Sequence, residues 1–87
     1  MVMLQFRPHA RYKEEIDVLY VFLMEEAATR SEELDANRII QQTGYAKPVH
    51  IEFHHASAGI DLTGVPEKER VHKLILESGK SFTIKGA

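Results

Sequence analysis

The stretch Val49-His-Ile-Glu-Phe-His-His55 holds the residues of this chain best suited to chemistry. Successive side chains on a β-strand alternate between faces, so His50, Glu52 and His54 project together while Val49, Ile51 and Phe53 turn to the other side. Two imidazoles and a carboxylate on one face suit Zn²⁺ or another first-row divalent ion. Asp61 supplies a fourth oxygen if Ala56-Ser-Ala-Gly59 is a four-residue hairpin loop. That register sets His54 opposite Asp61, Phe53 opposite Leu62 and Glu52 opposite Thr63. Any antiparallel strand with one wet face shows the same alternation, so no cofactor is expected and Zn is the alternative. His55 falls on the apolar side beside the loop, and Ser57 lacks the GxSxG setting of an activated serine. His72 is expected on a helix flank, and His9 follows Pro8 in a turn.

These side chains need elements to position them. Thr29 followed three residues later by Glu32 has the form of a capping box, and Gly44 suits a helix stop, so a helix is expected over 30–43. Its apolar stripe would be Leu34, Ile39 and Ile40. A second helix is expected over 66–78, with Pro66, Glu67 and Glu69 at its start, Gly79 past its end, and Val71, Leu74 and Ile75 on its buried face. Ser81 to Lys85 reads as a last strand burying Phe82 and Ile84. The segment Ile16 to Met24 is rich in β-branched and aromatic residues and reads as a strand apolar on both faces. The order from Ile16 onward is then β-α-β-β-α-β, a small α+β domain of ferredoxin-like order, with Val2 to Phe6 as an extra N-terminal strand. The alternative makes 10–28 a helix and gives β-α-α-β-β-α-β.

Composition bounds the function. Eighty-seven residues at 9.9 kDa fit a single domain spanning 1–87. With 44% hydrophobic and 28% charged residues, and no apolar run near the ~20 residues of a membrane helix, a globular chain away from the membrane is expected. The absence of cysteine excludes disulfides, thiolate metal sites and cysteine nucleophiles. Arg7 and Pro8 interrupt the N-terminal apolar residues before a signal-peptide core forms, so a cytoplasmic location is expected. A net charge of −2 and a pI of about 6.2 argue against nucleic acid or anionic lipid as the partner.

Three near-motifs fall short. Ser78-Gly-Lys-Ser81 has the end of a P-loop but has Leu74 where the earlier glycine belongs, and it follows a helix instead of preceding one. Leu19-Tyr-Val21 partly resembles one strand of RNA-recognition motifs, yet Gly59 to Gly64 lacks the rings and cations of its companion. Ile39 to Tyr45 resembles the start of a helix-turn-helix, with Ile40 and His50 at positions that want alanine and an apolar residue. A DNA-binding regulator is thus a further alternative. What remains is the two-faced strand. Helices cover one face of a four-stranded sheet, so Leu19, Val21 and Leu23 would form an apolar patch buried against another chain or against the extra N-terminal strand. The expectation is a small non-enzymatic interaction or regulatory domain, a homodimer that binds a protein partner or small ligand. A histidine-based metal-binding protein or metal-dependent enzyme is the alternative.

Overall fold

A computed structural model describes residues 5–87 of the chain. Its elements are β1 (His9–Lys13), β2 (Val18–Phe22), β3 (Arg30–Asp35), β4 (Arg38–Gln42), β5 (Pro48–His54), β6 (Ile60–Asp61), α1 (Lys68–Glu77) and β7 (Ile84–Lys85). The first five strands form an antiparallel sheet in the order β1-β2-β5-β4-β3, and β6 and β7 form a short parallel pair. The fold is therefore α+β, with α1 as the crossover that two parallel strands require. Hairpin neighbours account for every contact in the large sheet except β2 against β5, the long-range pairing that joins its two halves.

Alternation decides which side of the sheet is dry. Val49, Ile51 and Phe53 of β5 and Leu19 and Val21 of β2 are buried, as are Leu23 just beyond β2 and Ile40 of β4. Val71, Leu74 and Ile75 pack onto them from α1, joined by Ile60, Leu62 and Val65. The helix over 66–78 expected from the sequence is thus observed as Lys68–Glu77, with the expected buried face. The expected strand over 16–24 is observed as Val18–Phe22, which settles that segment against the helical alternative. Phe82 and Ile84 pack against the core half-buried, although the last strand is only Ile84–Lys85.

Three expectations are corrected. Residues 30–43 form the hairpin β3-β4, not a helix, and with it the ferredoxin-like order is lost. The backbone N–H of Asn37 donates to Asp35 Oδ1 at 2.9 Å and closes the turn, while Gln42 Nε2 donates to Glu32 at 3.0 Å, so Glu32 serves a cross-strand contact and caps nothing. Residues 56–59 are not a hairpin loop either. β5 already has β2 on one edge and β4 on the other, so β6 cannot pair with it and leaves the sheet to meet β7, placing Asp61 opposite Lys85. Finally, Leu19, Val21 and Leu23 are at most 2% exposed. The β6-α1-β7 unit covers them, so they are core and offer no surface to a partner. Of the N-terminal strand expected at 2–6, residues 2–4 lie outside the described residues, Gln5 and Phe6 carry no strand, and the first strand among the described residues is β1.

One carboxylate fixes the exit from the sheet. Asp17 ends the turn between β1 and β2 in the left-handed region, φ 54°, a conformation that Asp tolerates better than most residues. Its Oδ1 accepts from the Tyr12 hydroxyl at 2.7 Å and from the Ser57 backbone N–H at 2.8 Å, and its Oδ2 accepts from Ser57 Oγ at 2.6 Å. The backbone N–H of Ala56 donates to the Asp17 carbonyl. His55, also left-handed at φ 55°, turns the chain into this contact. The hydrogen bonds from Ser57 and Tyr12 hold the Asp17 carboxyl below its ordinary pKa, and the same carboxylate raises that of the Tyr12 phenol.

Two measurements test this layout. Leu19→Ala removes a fully enclosed side chain and should cost about 2–5 kcal/mol, a large share of the stability of a domain this size, whereas Phe22→Ala on the opposite face should cost distinctly less. Urea titrations with equal losses for the two would contradict the assignment of faces. Because the folded pKa of Asp17 lies below its unfolded value of about 3.9, its contribution is full above that value and fades as pH falls through the folded one. In the Asp17→Asn variant the amide retains an acceptor for Tyr12 and the Ser57 N–H but cannot titrate. The melting temperature of the wild type should therefore fall toward that of the variant below about pH 4; a gap that stays constant from about pH 7 to about pH 3 would exclude this tie.

Candidate binding face

The side of the sheet opposite α1 carries the histidine-rich stretch. In register, one row crosses the strands as His9, Phe22, His50, Gln41 and Ser31, and the next as Arg11, Tyr20, Glu52, Ile39 and Glu33. Lys13, Val18 and His54 begin a third. Among the described residues no helix lies on this face. Four rings adjoin on its β1-β2-β5 half: Phe22 lies 5.0 Å from His9 and 5.4 Å from His50 between centroids, and Tyr20 stacks on Phe22 at 6.0 Å with 15° between planes. Offset arrangements of this kind are the favoured ones for aromatic pairs. Arg11, Lys13, Tyr20, Phe22 and His50 line a shallow cavity of about 300 Å³.

His50, Glu52 and His54 share this face, as their spacing requires. Glu52 is 16% exposed at its side chain and divides its oxygens between its neighbours. A carboxylate only accepts, so His50 Nε2–H donates to Oε2 at 3.3 Å and His54 Nε2–H to Oε1 at 3.1 Å, with Gln41 Nε2 donating to Oε2 at 3.2 Å. Four residues of strand set the two backbones about 13 Å apart, and the imidazoles lean toward Glu52, each meeting a different carboxylate oxygen. Asp61, expected as the fourth ligand, lies off the sheet in β6; it shares a cavity with His54 but not with His50 or Glu52. Among the described residues no group of three or more His, Cys, Asp or Glu is arranged to hold a metal ion.

A second cavity, about 420 Å³, opens where the β3-β4 turn meets β6 and β7 and includes Asp35, Arg38, His54, His55, Asp61 and Lys85. It is larger, but Asp35, Arg38, His55 and Asp61 are occupied in holding turns. Arg38 donates to Asp35 at 2.9 Å, to the Asp61 carbonyl at 3.1 Å and to the Thr63 carbonyl. His55 Nδ1–H donates to Asn37 Oδ1 at 2.9 Å. Backbone N–H donors, from Asn37 to Asp35 and from Thr63 to Asp61, hold both carboxyls below their ordinary pKa. Ser57, adjacent to the histidines in sequence, donates its hydroxyl to Asp17, and His55 is turned to Asn37.

Comparison with known proteins found no matching family model, curated protein or solved structure. The face must be read from its own chemistry. Sequence reasoning found its central strand and missed Arg11, Lys13, Tyr20 and Phe22 as companions. A signal for β1 is present, since His9, Arg11 and Lys13 alternate with Ala10 and Tyr12.

The ladder dictates a tautomer. In their neutral forms His50 and His54 should both carry the proton on Nε2, which long-range ¹H-¹⁵N correlation spectra resolve directly. An Nδ1–H pattern at either residue would show that Glu52 does not bridge them in solution.

Proposed function

We propose that this chain is a small non-enzymatic interaction module that recognises a protein through the open face of its five-stranded sheet. The observation that carries this reading is the cluster of half-buried rings, Tyr20, Phe22 and His50, which no helix of the described residues covers, between a basic strand and the Glu52 ladder. Aromatic residues supply contact area at low entropic cost and are enriched at the centres of protein interfaces. The polar positions around them fit the rim that such centres require. Among the described residues the large apolar side chains exposed elsewhere, Ile16, Tyr45 and Leu76, stand on separate elements and form no comparable surface. Among the described residues no helix is long and apolar enough to cross a membrane.

A photo-crosslinking residue at position 22 should yield protein adducts in cells, while the same probe at Leu76, on the exposed side of α1, should yield few. Adducts at equal yield from both positions, or from position 76 alone, would place recognition elsewhere.

A further inference from the structure

The pattern of the open face narrows its occupant. Resting on the reading of that face as the recognition surface, we propose that it binds a second copy of this chain, stacked face to face about a two-fold axis running along β5. The sheet order sets β5 at the centre with two strands on each side. A half-turn about an axis along β5 lays β1 of one protomer over β3 of its partner, β2 over β4, and β5 over β5. The row Arg11, Tyr20, Glu52, Ile39, Glu33 is thereby opposed by its own reverse. Arg11 meets Glu33 at both ends, and Tyr20 meets Ile39 on either side of the axis.

The two ends of this row are exposed and opposite in charge, so one self-complementary surface supplies two ion pairs. Aligned sheets pack about 10 Å apart with strands within about 30° of each other, a gap that Arg and Glu side chains bridge from opposite sides. At the axis Glu52 meets its own copy. That approach is tolerable because His50, His54 and Gln41 of the same protomer already donate to its carboxylate. The other face-to-face half-turn, about an axis across the strands, sets β1 on β1 and β3 on β3, bringing like charges together at both edges. A polyanion is a poorer occupant than a second copy, since Glu33 and Glu52 lie on the face and the chain is net negative.

Charge reversal tests the arrangement. By sedimentation equilibrium at low ionic strength the wild type should be a dimer of the 9.9 kDa chain. Arg11→Glu and Glu33→Arg, each creating two like-charge contacts by symmetry, should each weaken dimerisation about tenfold or more, and the double variant should recover most of the loss. Both residues lie at the rims of the sheet, outside the core, so circular dichroism should show all variants folded. A dimer indifferent to either reversal, or a double variant as weak as the singles, overturns this arrangement while leaving the face free to bind another protein. A wild type that is monomeric at every concentration, with position-22 adducts to a different protein, overturns the second copy but not the surface. A monomer that binds a fluorescent oligothymidylate through Arg11 and Tyr20 overturns both.

Discussion

Asp17 joins two turns that are forty residues apart in sequence, and the layout of the whole sheet depends on that junction. Its backbone turns left-handed after β1, which starts β2 in register with β5, and its side chain holds Ser57 just past the end of β5. The chain is thereby turned out of the sheet. β2 fills one edge of β5, β4 fills the other, and the segment from Ile60 onward has only the dry face on which to lie. Three donors, one from Tyr12 and two from Ser57, converge on one carboxylate and tie β1 to the segment that follows β5.

The asymmetry between the faces follows from the same junction. Once β6, α1 and β7 are sent to one side, Leu19, Val21, Ile51 and Phe53 are enclosed, and burying each such side chain contributes roughly 1.5–3 kcal/mol. The opposite side receives no helix from the described residues. Its side chains answer one another instead: imidazoles donate to Glu52, and rings cluster around Phe22. Such a surface is ordered before any partner arrives, which lowers the entropy that binding must overcome.

What the sequence reveals and conceals here has a physical pattern. β2, β5 and α1 are legible because burial on one side writes its period into the residues, as in Val49, Ile51 and Phe53 or Val71, Leu74 and Ile75. β3 is buried hardly at all: Arg30-Ser-Glu-Glu-Leu-Asp35 is an edge strand whose charges discourage further pairing and carry no strand period. Its neighbour Thr29 and its own Glu32 imitate a helix cap because a cap signal is local, whereas the layout of the sheet is decided by contacts far along the chain. Likewise the histidine ladder is legible from a spacing of two on one strand, but the sequence attaches Asp61 to it through a turn that only the occupancy of both β5 edges forbids. Tyr20 and Phe22 join the site through β2-β5 register, which no local pattern encodes.

The edges of the sheet restrict the ways in which another chain can add to the molecule. An unpaired edge is a ready template for a strand from another chain, and each edge here resists that addition. β3 presents Arg30, Glu32, Glu33 and Asp35, and β1 is five residues long and carries Arg11 and Lys13. The β6-β7 pair is two residues long on each strand and offers little ladder to extend. Backbone pairing is thus discouraged at each of these edges, and under the proposed reading association falls to side chains, which the open face presents as rings over β1, β2 and β5 and opposite charges at its rims. That division separates register from the proposed recognition: hydrogen bonds between strands are used up in building the fold, and the chemistry that would select a partner lies with side chains that the core does not need.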